Sequence, residues 1–177
     1  EELAFKEEPK EEIIEESKEF IKALGLPVIQ APSEAEAQAA FMVERDDVYA
    51  CVSQDADCLL YSAPRIVKNL TVSPKRRVKG IYVDVHQELI ELNEVLRKLG
   101  INQDQLLALS ILVGTDYNPK GVKGIGPKTA LKLVKQYKSF DKLFKNVKAD
   151  FDWLEIFNVF KKIPVTKKYD LKFAPIN

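Results

Sequence analysis

One histidine, two cysteines, one methionine and one tryptophan in 177 residues leave this chain few side chains of the kinds that bind transition metals or serve as nucleophiles. With His86 as the only imidazole, a multi-histidine metal site and a histidine-dependent hydrolytic triad lack their ingredients. Cys51 and Cys58 are too few for a disulfide framework and are not spaced as C-x-x-C, which points to a reducing, intracellular setting and away from a thiolate metal site. No apolar run approaches the roughly 20 residues of a membrane helix, so no membrane partner is expected. The chain opens on Glu1 rather than Met, and its acidic start has neither the basic nor the apolar part of a secretory signal; the expectation is an excised piece of a longer protein. Carboxylates are left to carry any metal chemistry.

The net charge is zero, with 27 basic against 27 acidic residues, which at face value argues against a nucleic-acid partner. The charges are segregated along the chain, however. Residues 1–24 hold nine glutamates and four lysines, whereas residues 116–148 hold nine lysines and two aspartates. The second stretch is where a polyanion would bind, although a solvated helix face gives the same composition.

Apolar residues at 46% and charged residues at 31% fit one compact globular unit of mixed α/β class. After Pro9, the row of Ile13, Ile14, Ser17, Phe20, Ile21 and Leu24 predicts a helix ending at Gly25 with its apolar stripe packed on a core. Leu26–Gln30 reads as a short buried strand, and Ser33 as the cap of a helix running to about Glu44. Val48–Ser53 predicts a second buried strand leading into a polar loop, Gln54–Asp57. Strand, helix, strand implies a parallel pair, with ligands beyond the carboxyl ends of the strands, where Asp55 and Asp57 fall. Arg65–Leu70 and Val78–Val83 read as strands of a hairpin joined through Ser73-Pro74-Lys75-Arg76-Arg77. Asp84 with Gln87, and Asn102 with Gln105, match the capping-box spacing and predict helices to about Gly100 and Gly114. Shorter helices over 127–138, 139–146 and 151–161 complete the reading.

Glu34 with Glu36 and Asp55 with Asp57 form two tight acid pairs, each just after a predicted strand, and Asp116 follows a helix end at Gly114. Hard cations such as Mg²⁺ and Mn²⁺ take oxygen ligands and keep several waters, so carboxylates gathered at strand ends suit them. Two such ions would hold a scissile phosphate for hydrolysis. Plainer readings compete. Glu36 stands three after Ser33, as in a capping box, and Glu34 suits a helix first turn. Asp55 and Asp57 would share a face in extended chain, and Asp116 passes as a loop aspartate.

Gly121-Val122-Lys123-Gly124-Ile125-Gly126-Pro127-Lys128-Thr129-Ala130 is the most specific signal. The glycines allow tight turns and close approach of another backbone, Ile125 anchors the turn, and Pro127 suits the first helical position. Exposed amides at that helix start, with Lys123 and Lys128 beside them, read as an anion site of the kind that holds a nucleic-acid backbone without reading bases, with a structural Gly-Pro turn as the plainer alternative. Lys128, Lys132 and Lys135 share one helix face, and Ala130, Leu133, Val134 and Tyr137 the other.

In order and spacing, A-P-S-E-A-E-A at Ala31–Ala37, D-x-D-C-L at Asp55–Leu59, G-T-D-Y at Gly114–Tyr117 and G-I-G-P-K-x-A at Gly124–Ala130 resemble the archaeal and eukaryotic flap endonucleases. The resemblance runs from about Leu26 to Phe173, including P-V-T-x-x-Y at Pro164–Tyr169. It implies a PIN-like, parallel-rich sheet flanked by helices, with a metal-binding part over residues 1–100. A helical subdomain over residues 101–177 would carry a helix-two-turn-helix that grips DNA.

By the resemblance, Glu34, Glu36, Asp55, Asp57 and Asp116 bind two catalytic Mg²⁺ ions, with Mn²⁺ an alternative. Lys123, Gly124, Ile125, Gly126, Lys128, Thr129 and Lys132 contact DNA. The resemblance further implies a monovalent cation held by the carbonyls of Gly121, Val122 and Ile125. The activity implied is cleavage of branched duplex DNA at a 5′ flap, with 5′ exonuclease activity, in replication and repair. It would take place in the cytoplasm of an archaeon or the nucleus of a eukaryote.

Family members carry further metal-binding aspartates and the helical arch in an N-terminal region with no counterpart here, so the chain alone is expected to be catalytically incomplete. A sliding clamp is a partner of the intact protein, but no Q-x-x-L-x-x-F-F pattern occurs, so clamp binding through that motif is not expected. A non-catalytic DNA-binding module, and a repair nuclease of different substrate preference, are the alternatives.

Overall fold

The computed structural model describes residues 11–70, 75–78 and 81–176, with 75–78 as backbone alone. The elements run α1 (Glu11–Ala23), α2 (Ala35–Glu44), β1 (Cys51–Val52), a 3-10 turn (Asp57–Leu59), β2 (Arg65–Lys68), β3 (Lys75–Val78), β4 (Ile81–Asp84), β5 (Glu88–Glu91) and α3 (Leu92–Leu99). Four further helices follow: α4 (Gln103–Val113), α5 (Pro127–Gln136), α6 (Phe140–Asn146) and α7 (Trp153–Lys162). The described residues divide into two compact units where one was expected. Those up to Pro32 join those from Thr166 onward, and Ser33–Val165 form the second. The second unit therefore draws on both of the regions expected to divide at residue 100.

In the first unit α1 forms where predicted, but its stripe does not pack on a core. Ile13, Ile14 and Phe20 are exposed, and α1 has no buried residue. Gly25 closes the helix with φ +75° and lies against the Ala174 carbonyl, while the Leu26 amide turns back to Ile21. Leu26–Gln30 is not a strand. Leu26 is exposed, Pro27 has no amide to give, and the Gln30 carbonyl takes the Thr166 hydroxyl.

The second unit has a small mixed sheet ordered β1-β2-β5. β1 lies parallel to β2, with Cys51 opposite Ile66, and β5 lies antiparallel on the other side of β2, with Ile90 opposite Ile66. The predicted strand at 48–53 is limited to two residues because Tyr49 gives its carbonyl to Arg65 Nε at 2.6 Å instead of to a ladder. The predicted hairpin is shifted: β3 pairs with β4 rather than β2 with β4, so Lys75–Arg77 are strand, and Ser73 and Pro74 lie outside the described residues. The helix predicted from Asp84 is also corrected. Asp84 ends β4, and residues 88–91 pair with β2 before α3 begins at Leu92. A cap contributes only about 1 kcal/mol. A four-residue ladder that buries Ile66 and leads into buried Leu92 outweighs it.

The Asn102 capping box forms as expected, with both bonds at 2.9 Å. Gln105 also reaches the Val134 carbonyl at 2.7 Å, which ties the start of α4 to α5. Val43, Ile66, Leu107, Ile111, Leu112, Val134, Leu143 and Phe144 fill the core between sheet and helices. No described helix is long and apolar enough to cross a membrane.

Candidate functional site

Three separate segments bring acids to one place. Glu34 is the N-cap of α2 in extended conformation (φ −67°, ψ 131°) and makes no side-chain cap bond. The expected cap at Ser33 is thus displaced by one residue, and the Ser33–Glu36 capping box does not form. Glu36 is left to the surroundings of α2. The second segment follows β1, where Asp55 accepts the Asp57 amide on Oδ1 at 3.2 Å and gives its own amide to Ser53 Oγ at 3.0 Å. Asp55 and Asp57 come together through this Asx turn, not through the alternation of an extended strand. The third is the turn after α4, which carries Asp116.

Glu34, Glu36, Asp55, Asp57 and Asp116 line a single cavity of about 230 Å³ together with Tyr61 and Tyr117. None of these lining residues is a lysine or an arginine. Burial, followed by the charges of Asp55, Asp116, Glu36 and Glu34, pushes the Asp57 carboxyl from its ordinary 3.8 up to about 6. Among the described residues no three His, Cys, Asp or Glu side chains converge closely enough to grasp an ion directly. The acids stand around a space instead.

The two tyrosines were not singled out from the sequence. Tyr117 Oη donates to Glu34 Oε1 at 3.3 Å and lies 3.4 Å from Tyr61 Oη. Both rings rest on Phe160 of α7, at 5.1 and 5.2 Å between centroids. Burial and the neighbouring Tyr117 hydroxyl push the Tyr61 phenol well above its usual range. Tyr117 was visible within the G-T-D-Y motif. For Tyr61, four residues beyond Asp57, no sequence signal exists. Cys51 and Cys58 are free and buried in the core.

The glycine-rich segment forms turns between α4 and α5. Val122 donates its amide to Leu112 and accepts that of Ile125, and Gly121 (φ +52°) fits only because it has no Cβ: one would stand 2.3 Å from the Val113 carbonyl oxygen. Val122 is buried and Ile125 packs on the core, while Lys123, Gly124, Gly126, Lys128, Thr129 and Lys132 are exposed. Gly126 caps α5 without a side-chain bond, and Pro127 occupies the first turn. The first amides of the helix therefore face outward. On α5 the lysines Lys128, Lys132 and Lys135 are exposed and Ala130 and Val134 buried, as the periodicity predicted.

The XPG I-region family model matches residues 25–116. The chain is similar to flap endonuclease 1 of Hyperthermus butylicus, 49% identical over 168 residues, covering 92% of this chain and 48% of that protein. It is 50% identical over 163 residues to flap endonuclease 1 of Korarchaeum cryptofilum, covering 90% and 48% respectively. Among solved structures it is similar to the flap endonuclease-1 from Methanococcus jannaschii, with TM-score 0.78 and 41% identity, over 98% of this chain and 56% of that one. The chain spans about half the length of the curated relatives it matches.

Proposed function

Since the chain belongs to the XPG I-region family, we propose that it forms the metal-binding and DNA-gripping part of a structure-specific nuclease of the flap endonuclease type, which hydrolyses branched DNA at a 5′ flap and trims 5′ ends. One observation carries the reading: five carboxylates from three distant segments face one cavity. The last of them, Asp116, lies five residues before the glycine turn.

The lining fits Mg²⁺ or Mn²⁺, since it offers hard oxygen donors and no basic side chain to balance them. Glu34, Glu36, Asp55, Asp57 and Asp116 would hold two such ions. When bound, Mg²⁺ supplies Lewis-acid polarisation of a phosphate and a more acidic water. The chain's own residues bind and orient. Lys123, Lys128, Thr129 and Lys132, with the amides of Gly124 and Gly126, seat the phosphate backbone of the duplex, while Ile125, whose amide is given to Val122, anchors the turn. The Asx turn and the Tyr117 hydroxyl fix where the carboxylates stand. A carbonyl oxygen has two lone pairs, so that of Val122, which accepts one amide, still serves a monovalent cation beside those of Gly121 and Ile125.

In this reading residues 1–100 supply four of the five metal-binding acids, and residues 101–177 supply Asp116 and the DNA grip. In the intact protein the partners would be flap DNA and a sliding clamp, in archaeal cytoplasm or a eukaryotic nucleus. The test is cleavage of flap and unbranched duplexes by the full-length protein, with and without Mg²⁺. Flap-selective, chelator-sensitive cutting is expected. Equal cutting of both substrates, or full activity in excess EDTA, overturns the reading. If alanine at both Asp55 and Asp57 leaves cutting unchanged, the acids have no part in it.

A further inference from the structure

The acid cavity and the glycine turn are joined by a short turn whose hydrogen bonds centre on one residue that neither site uses directly. Asn118 is buried, 9% exposed. Its Oδ1 accepts the Thr115 amide at 3.2 Å and the Thr115 hydroxyl at 2.6 Å, and its Nδ2 donates to the Ile111 carbonyl at the end of α4 at 2.7 Å. Its backbone completes the arrangement: the amide donates to Thr115 at 3.0 Å, and the carbonyl accepts the Gly121 amide at 2.9 Å.

On one side these bonds close the four-residue turn Thr115–Asn118. Asp116 and Tyr117, which line the acid cavity, are its two middle residues. On the other side they set the start of the glycine turn at Gly121, where the backbone is packed too tightly against Val113 for any side chain. Nδ2 anchors the whole to α4. The Asn118 side chain thus holds the turn that carries Asp116, and by fixing its own backbone it sets the carbonyl that receives the Gly121 amide.

We infer that Asn118 is a positioning residue that sets the cation-binding carboxylate of Asp116 and the DNA-gripping glycine turn in register with each other, so that its loss weakens both sites together. Buried groups that orient ligands without touching the ligand change affinity when they are removed, even where the fold survives. An aspartate at 118 would not substitute, because its second oxygen cannot donate to Ile111.

The inference rests on the proposed cation and DNA sites, and the controls separate its failure from theirs. In the full-length protein, Asn118→Ser and Thr115→Val are compared with Asp116→Asn and Lys128→Ala, once circular dichroism shows each to be folded at the assay temperature. Mn²⁺ binding is measured by calorimetry, and binding of a fluorescent duplex by anisotropy in EDTA. Asn118→Ser is expected to weaken both by roughly 10-fold. Thr115→Val, which removes one bond of the set, should weaken both by about 3-fold. Thr115→Ser keeps the hydroxyl and restores them. Asp116→Asn should weaken Mn²⁺ binding without weakening duplex binding, and Lys128→Ala the reverse. If Asn118→Ser does not fold, the two Thr115 variants decide alone. Variants at 118 and 115 that lower Tm but keep both affinities, or lose only one, overturn the inference and leave the proposed function standing. Wild-type binding by Asp116→Asn and by Lys128→Ala overturns both.

Discussion

Neutralising one acid of the cavity should make the metal-free protein more stable. Asp57 is partly buried among four other carboxylates, and its carboxyl is pushed up from 3.8 to about 6, first by burial and then by those charges. At about 1.4 kcal/mol per unit, the ionised form costs about 3 kcal/mol as a ceiling. Solvent reaches the side chain and screens it, so about 1 kcal/mol is the working figure. Asparagine keeps the shape and removes the charge, and the Asp57 amide bond to Asp55 is a backbone bond that survives. Asp57→Asn in EDTA at pH 7.5 should therefore raise Tm by about 3 °C for a chain of this size.

The pH dependence fixes the cause. A carboxyl whose folded pKa lies above its unfolded one keeps in the folded state a proton that the unfolded state has released. The metal-free wild type should thus lose stability as pH rises from about 4 to about 6, and the variant should lack that component. The two melting curves should agree near pH 4 and differ most above pH 6. Saturating Mn²⁺ should reverse the order, because the wild type gains more from a cation that binds only the folded state. Differential scanning calorimetry across pH, with and without Mn²⁺, is the assay. A variant that melts at or below the wild type in EDTA at pH 7.5, or a gap that does not vary with pH, would refute the crowding of charge in this cavity.

The two turn glycines should differ sharply. Gly121→Ala places a methyl 2.3 Å from the Val113 carbonyl oxygen at a φ of +52°, and should lower stability by more than about 2 kcal/mol in chemical denaturation. Gly124 (φ +81°) has nothing within 4 Å of a Cβ, so Gly124→Ala should cost only about 1 kcal/mol. Lys128→Ala removes an exposed charge at the start of α5. It should weaken binding to duplexes of any sequence alike and reduce the slope of log K against log salt by about 1, measured by anisotropy between low and moderate salt.

The helices were the most legible part of the chain. At α4, Asn102 and Gln105 make the predicted box, and α5 keeps the predicted apolar and lysine faces, because both signals depend only on neighbours within the helix. The strands were less legible. Residues 84–91 satisfy a helix-start spacing, yet they pair with β2 and with β3, and partners distant in sequence leave no local trace. The same holds for α1, whose periodic stripe shows a helix but not whether anything covers it. For the cavity, residue types and spacing marked the five acids that the fold gathers there. Tyr61 and Phe160 escaped notice because an aromatic residue reads as core unless its neighbours are known.

Glu36 shows how a local explanation and a site can be told apart. Its spacing from Ser33 allowed a reciprocal cap, which would have occupied the carboxylate with a backbone amide. In the fold, Glu34 takes the capping position in extended conformation and makes no side-chain bond to the helix, so α2 begins one residue late for Ser33 to serve. Both glutamates instead line the cavity that also holds Asp57. The N-terminal end of α2 carries partial positive charge, which offsets part of the repulsion of gathering acids there. A glutamate at a helix start therefore fits either reading on energetic grounds. What distinguishes them is the company it keeps: three further acids, from two other segments, face it across 230 Å³ of space.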